Sequence, residues 1–322
     1  MEFAETIPTR RRFVEYLGLA ARGFCMGAAD IVPGVSGGTM AFILGIYEEL
    51  IQAIHTLNLD FVRRLMRGQW REAFAHFAWP FLLAVGLGIA TAIFTLARGI
   101  RWALEHHPSL VWAFFFGLVL ASVVAVRKRV ARWTVANTLV AGLGMLGAYW
   151  LVGLLPVRTP DTPWFLFLSG ALAICAMILP GISGAFILVL LGKYQTVLEA
   201  VVQRDVITLA IVAAGAVVGL LSFARLLRWL LRRYHDLTVA ALTGLMLGSL
   251  RKVWPWKQTV VGGGVASEVE LNVLPEAFTS EVGFAIGLAM LGMALVLSLD
   301  RLTTEPRPRR SARQVSPFAE RT

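Results

Sequence analysis

The sequence predicts an all-α polytopic membrane protein built as two inverted repeats, each a re-entrant, broken helical hairpin followed by three transmembrane helices. Three observations carry this. The chain of 322 residues is 57% hydrophobic and only 16% charged, with a mean hydropathy of +0.70, outside the range of soluble globular domains. It repeats itself along its length. Its Lys and Arg residues alternate between loops in the manner a membrane topology demands.

Residues 1–155 form the first repeat, with a hairpin at 17–54 and spans at 79–97, 110–126 and 134–155. Residues 164–300 form the second, with a hairpin at 164–201 and spans at 206–224, 237–250 and 282–299. Each of the six apolar runs approaches the length that crosses a hydrocarbon core of about 30 Å. The "TRRR" at 9–12 precedes an apolar stretch that Arg22 interrupts, without a small-residue cleavage site, so the N-terminus is expected to remain in the mature protein. The tail at 301–322, rich in Arg, Pro and Ser, reads as a disordered cytoplasmic extension able to touch anionic membrane lipids.

The repeat is explicit. At an offset of 147, Pro33, Gly34, Ser36, Gly37, Leu44, Gly45 and Tyr47 meet Pro180, Gly181, Ser183, Gly184, Leu191, Gly192 and Tyr194. At an offset of 127, "ARGIRWAL" at 97–104 meets "ARLLRWLL" at 224–231, and the match runs on through Gly117 and Gly244. The offsets differ because the first half carries a longer connector at 56–78.

Neither motif segment suits a continuous helix. Proline removes a backbone donor and glycine loosens the turn, so "DIVPGVSGGT" at 30–39 predicts two helices, about 17–30 and 38–54, with bare backbone between them. Such backbone is tolerated at membrane depth only where protein or a polar cavity covers it. A hairpin that returns to its own side, followed by three spans, inverts the second half relative to the first. Charge agrees: 22 of the 30 Lys and Arg fall on the side of the N-terminus, 52–78, 127–133, 225–236 and the tail, and 8 on the other. The first side is therefore expected to be cytoplasmic, with both termini on that side.

Broken helices in inverted repeats are how many secondary transporters form a midplane site. A helix starting after Gly37 offers free N–H groups, Ser36 and Thr39 offer hydroxyls, and Gly37 and Gly38 allow close approach, a combination suited to an anion. The second copy, with Pro180, Gly181, Ser183 and Gly184, keeps the motif but lacks the extra Gly and Thr. A packing kink with serine as a local cap is the plainer alternative. Arg22 and Asp30 lie eight residues apart, in reach only if the helix unwinds, and two readings stay open: a structural tie, or a charge-sensing pair that handles a proton. Coupling to a proton or sodium gradient belongs to the second reading.

Arg98 and Arg101 with Trp102 recur as Arg225 and Arg228 with Trp229. Loop charge and interfacial Trp anchoring explain the cytoplasmic copy; on the outside, Arg98 and Arg101 run against the charge rule and point to an anion such as a lipid headgroup. Glu48 and Glu49 read as interfacial solvation. The net charge of +10 lacks the aromatic–basic interleaving of nucleic-acid binders, so no nucleic acid is expected. Cys25 and Cys175 sit in apolar segments with no metal spacing, and no metal or cofactor is expected. The segment 251–281 reads as an external loop partly covering the site.

"GAADIVPGVSGGTMAFILGIYEELI" and "MILPGISGAFILVLLGKY" resemble the bacterial and archaeal polyprenyl-phosphate translocase family, the PopT family, once catalogued as a domain of unknown function. The resemblance covers residues 10 to about 300. It implies translocation of undecaprenyl phosphate, the carrier lipid of cell-wall synthesis, from the outer leaflet to the inner one for reuse. The phosphate is then expected on Ser36, Gly37, Gly38, Thr39, Ser183 and Gly184, with Arg22 neutralising it, Arg98 and Arg101 recruiting the lipid, and the tail in the bilayer through a lateral opening. Family members often carry Asn where this chain has Asp30. Two rivals use the same residues. A carrier of a small inorganic anion needs the same helix ends. An intramembrane serine hydrolase would use the "GVSGG" at 34–38, but His55, His76, His106, His107 and His235 all fall in loops or at span ends, away from the serine.

Overall fold

The structure, a computed structural model, describes residues 11–32, 35–57, 59–157, 159–261, 268–275 and 277–303. The first hairpin comprises α1 (Phe13–Asp30), α2 (Gly37–Ile43) and α3 (Tyr47–His55). The longer connector of the first half carries two short helices, α4 (Leu59–Met66) and α5 (Trp70–His76). Three helices follow: α6 (Trp79–His106), α7 (Pro108–Arg127) and α8 (Val135–Leu151). The second half repeats the order with α9 (Pro163–Ile178), α10 (Gly184–Leu190), α11 (Tyr194–Gln203), α12 (Val206–Arg233) and α13 (His235–Ser249). The segment expected as an external loop folds as an antiparallel hairpin, β1 (Lys257–Val261) with β2 (Glu268–Asn272), before α14 (Ser280–Thr303).

Three expectations need correction. The return arm expected as one helix at 38–54 is broken at Leu44–Ile46, where Gly45 takes a positive φ of 73°. Its counterpart breaks at Leu191–Lys193, with Gly192 at 65°, and α10 and α11 meet there at 105°. Glycine is the residue that adopts this conformation without strain. Six spans were expected, whereas among the described residues four helices, α6, α7, α12 and α14, are long and apolar enough to cross, or five if the bent pair α10 and α11 is one span. The runs 134–155 and 237–250 fold as α8 and α13, of 17 and 15 residues, about 25 and 22 Å long. Hydropathy overcounted α8 because its terminating turn, Val152–Leu155, is itself apolar. Lastly, α14 continues through Thr303, so residues 301–303 belong to the helix; 304–322 lie outside the described residues.

Helices pair by backbone approach at glycine. In α1 against α6, a Cβ at Gly23 would overlap the Val85 carbonyl and one at Gly88 that of Ala20. In α9 against α12, Gly170 and Gly215 stand in the same relation to Val212 and Phe167. These are equivalent residues of the two halves. The remaining pairs join the halves: α7 with α14 through Gly117 and Gly292, and α8 with α13 through Gly244 and Gly144. Without a hydrophobic drive between helices in lipid, such close packing is what holds them together. The joints repeat too. His107 between α6 and α7 has φ −138° and ψ 54°, and Tyr234 between α12 and α13 has φ −135° and ψ 52°.

Polar ties gather the loops at two ends. At one, Arg11 meets Glu49 at 2.8 Å, Lys128 meets Asp300 at 3.1 Å, His235 meets Glu48 at 3.6 Å, and Asp236 accepts from the Ala131 and Arg132 N–H groups. Glu48 and Glu49 are thus ion-paired, beyond the interfacial solvation expected of them. At the other end, Ser109 donates to Glu281, Arg251 to the Tyr149 carbonyl at 2.9 Å, and Lys193 pairs with Asp161. α7 and α14 are tied at both ends and therefore run parallel.

The Glu48 hydrogen bond, followed by Asp236, raises His235 above its ordinary 6.5 against the effect of burial, while the same bond holds Glu48 below its ordinary 4.5. The His235 contribution is complete below about pH 6.5 and fades as pH rises through the raised value; that of Glu48 is lost on acidification. Thermal unfolding of the solubilised chain should therefore shift down between about pH 6 and 8, and His235→Gln should flatten that change. Gly117→Ala should destabilise by about 1–3 kcal/mol by forcing α7 off the Ala289 carbonyl. Gly86→Ala, whose new Cβ meets nothing within 4 Å, should be neutral or stabilising by up to about 1 kcal/mol.

Candidate functional site

Asp30 closes α1, and α2 starts at Gly37, one residue earlier than expected, with Ser36 extended as its cap. Pro33 and Gly34, two of the expected site residues, lie outside the described residues. The Ser36 hydroxyl accepts from the Gly38 N–H and donates to the Met177 carbonyl, both at 3.1 Å. Gly37 N–H donates to Asp30 Oδ1 at 2.6 Å. The positive end of α2 therefore already holds a carboxylate, supplied by the chain itself.

In the second break α9 stops at Ile178, and Pro180 and Gly181 turn the chain toward Ser183, the residue before α10. Gly181 has φ +92°, and a Cβ there would meet Ser249 Oγ and the Met246 backbone. Its N–H donates to Thr39 Oγ1 at 2.9 Å, and Tyr47 Oη donates to the Ile178 carbonyl at 3.1 Å. Three side chains of the first hairpin, Ser36, Thr39 and Tyr47, thus satisfy backbone groups that the second break leaves open. The approach is tight: a Cβ at Gly38 would stand 2.7 Å from the Ile178 carbonyl oxygen, and one at Gly184 2.6 Å from that of Ala173.

The arrangement is one-sided. Ser36 and Thr39 are 1% and 0% exposed, whereas Ser183 is half-buried and makes no capping bond. Gly38 and Thr39 correspond to Ala185 and Phe186, so the second hairpin cannot return the favour. The structure brings together Ser36, Gly37, Gly38, Thr39, Pro180 and Gly181, with Asp30 on their rim. It does not join Arg22 to Asp30: α1 stays helical through Asp30, the carboxylate is engaged by Gly37, and Arg22 is half-buried with no ion pair among the described residues. Arg98 and Arg101 lie exposed on the last turns of α6, with no hydrogen bond or ion pair among the described residues. The partners of Ser36 are two carbonyls and an N–H, none of them a base, so no nucleophile–base pair forms there.

Two cavities lie elsewhere. An apolar groove of about 530 Å³ runs between α7, α8 and α13, lined by Val123, Ala141, Gly142, Met145 and Leu247, with Arg127 and Trp133 at one end. The Trp133 indole donates to the Arg127 carbonyl at 3.3 Å, fixing that end. Sequence reading missed this groove; its signal was the "AGLGMLGA" of α8, where Gly144 seats α13 and Gly142 faces open space. A second, basic cavity of about 440 Å³ is lined by His55, Arg225, Arg228, Trp229, Arg232 and Arg233.

A family model described as undecaprenyl phosphate translocase-like matches residues 26–267. The chain is 42% identical over 299 residues to a polyprenyl-phosphate transporter of Vibrio cholerae serotype O1, covering 89% of this chain and 97% of that protein. It is 29% identical over 308 residues to a polyprenyl-phosphate transporter of Staphylococcus aureus, covering 88% and 96%. These relatives are named as transporters, not enzymes. No solved structure matches.

Removing one partner of a buried hydrogen bond leaves the other unsatisfied, at a cost of about 1–3 kcal/mol. Ser36→Ala and Thr39→Val should each lower the unfolding temperature accordingly, and as contacts in one lock their combined effect should depart from additivity in a double-mutant cycle. Asp30→Asn keeps an acceptor for the Gly37 N–H and should fold, while Asp30→Ala should cost about 1 kcal/mol more.

Proposed function

The chain belongs to the undecaprenyl phosphate translocase-like family, and from that premise we propose that it carries a polyprenyl phosphate across the bacterial cytoplasmic membrane, from the outer leaflet to the inner, for reuse in cell-wall synthesis. The observation that carries the reading is the apolar groove between α7 and α8 of the first half and α13 of the second, with Arg127 and Trp133 at one end. An amphiphile with an isoprenoid tail and an anionic head has this distribution of apolar and basic chemistry. A small soluble anion has no use for such a lining.

The paired breaks are the crossing point for the headgroup. In the state described, Ser36, Thr39 and Tyr47 lock onto the second break, so the phosphate reaches Ser36, Gly37, Gly38, Thr39, Ser183 and Gly184 only when the two hairpins part. The phosphate then replaces the internal acceptors with its own oxygens, and the Asp30 carboxylate yields the end of α2. Repulsion between Asp30 and the arriving dianion supplies the point at which a proton or sodium ion would couple. Arg22 stands half-buried on α1 as the available countercharge, and Arg98 and Arg101 collect the lipid at the opposite membrane face. The equivalent glycine pairs and the matched joints at His107 and Tyr234 support the duplication, and the parallel run of α7 and α14 supports inversion, since α14 is the counterpart of α8, which turns back from α7. The end that gathers Arg11, Lys128, His235 and Asp300 carries the excess of Lys and Arg, which supports its placement in the cytoplasm with both termini.

In liposomes holding the purified chain and headgroup-labelled undecaprenyl phosphate, the wild type should move label between leaflets. Gly142→Trp, which fills the groove, should slow this by about tenfold or more, equivalent to some 1.4 kcal/mol of barrier. A wild type that moves label no faster than empty liposomes under a proton or sodium gradient, yet passes inorganic phosphate, would sink the lipid assignment.

A further inference from the structure

The last turns of α12 carry Arg225, Arg228, Trp229 and Arg232 at positions i, i+3, i+4 and i+7, one face of the helix, with Arg233 beside them. Loop charge and Trp anchoring account for the sequence, but the structure adds a second wall. α3 packs against α12 and ends in His55, which closes the basic cavity of about 440 Å³. Arg228 Nη1 stands 2.5 Å from His55 Nδ1. A guanidinium has only donors, so the imidazole accepts through Nδ1 and is neutral. Burial, followed by Arg228, Arg225 and Arg232, pushes His55 below its ordinary pKa.

No carboxylate forms an ion pair with any of these four arginines among the described residues. The acids of α3 and of the first turn of α13 are committed elsewhere: Glu48 to His235, Glu49 to Arg11, and Asp236 to the Ala131 and Arg132 N–H groups. Like charges along one helix face repel, and an interfacial anchor does not require them to converge with an imidazole on one cavity. The equivalent of His55 in the other half is Val202, which offers no ligand.

We infer that the cavity formed by His55, Arg225, Arg228, Trp229, Arg232 and Arg233 is a binding site for a phosphate monoester, separate from the paired breaks. The inference deepens the translocation reading and takes its substrate class from it. Guanidinium forks on successive turns match the oxygens of a phosphate dianion bidentately. A phosphate accepting from Arg228 displaces His55 from that guanidinium, and the ring, on taking up a proton from solvent at Nδ1, becomes one more donor to the anion. Trp229, 55% exposed, has the amphipathic character of a membrane–water boundary residue, which places the site where a headgroup rests with its tail still in lipid.

The test uses the full chain in phosphatidylcholine nanodiscs, treated with phenylglyoxal and mapped by peptide mass spectrometry. Farnesyl phosphate should slow modification of Arg225, Arg228 and Arg232, while farnesol should not. Inorganic phosphate protecting at the same concentration would assign the site to free phosphate; protection by farnesyl phosphate at about tenfold lower concentration, some 1.4 kcal/mol, would assign it to the lipid headgroup. Arg228→Gln should weaken farnesyl phosphate binding by about tenfold, and Arg228→Lys, which keeps the charge without the fork, should rescue it only in part. The inference is overturned if neither phosphate probe protects, or if the phosphodiester phosphatidylglycerol protects as well as farnesyl phosphate. Protection is read without transport. Flipping by a wild type with unprotected arginines therefore overturns this site alone, and protected arginines in a chain that does not flip overturn the translocation reading alone.

Discussion

Backbone groups inside a membrane must find partners within the protein, and this constraint organises the molecule. Each half interrupts its first helix with proline and glycine, exposing carbonyls at one side of the gap and N–H groups at the other. The two gaps are brought face to face, and the first supplies hydroxyls to the second: Ser36 to Met177, Tyr47 to Ile178, Thr39 to Gly181. The burial of α2, whose residues Gly37–Ile43 are all covered, follows from this exchange. So does the glycine at position 38, where the facing carbonyls leave no room for a side chain.

The same economy governs the long helices. They meet at glycine on carbonyl, and the equivalent positions of the two halves are used in equivalent ways, Gly23 with Gly170 and Gly88 with Gly215. Yet the halves are not independent bodies. α7 and α8 each take a partner from the second half, and α3 rests on α12. The apolar groove arises where these exchanged pairs diverge, and the basic cavity where α3 reaches the far end of α12.

Much of this was legible from residue order alone. Proline, glycine and serine recurring at a fixed offset located both breaks, and the distribution of Lys and Arg sorted the loops into the two groups that the ties at Lys128–Asp300, His235–Glu48 and Arg251–Tyr149 hold together. The second break of each hairpin was equally available in the repeated Leu-Gly-x-Tyr, but an apolar Leu44 and Leu191 around a lone glycine look like ordinary helix. Asp30 was read against Arg22 because helical spacing counts only local neighbours; its actual partner, Gly37, is reached by a turn of the chain. The basic cavity, and the groove beyond the glycines of α8 that hint at it, were missed for a different reason. Each is lined by segments over a hundred residues apart, whose meeting depends on helix pairing that no local pattern encodes.

The exchange of partners also bears on how the chain is made. α7 is made before any helix of the second half, and the helix that covers its Gly117 face, α14, is the last of the described helices. Sequence-distant pairing of this kind is slow to form and leaves unpaired surface exposed meanwhile. During synthesis that face must wait in lipid, or against whatever insertion factor shields it, until residues 280–303 arrive. A ribosome that stalls before residue 280 would release a chain whose Gly117 face has no α14 to cover it, a natural substrate for membrane quality control.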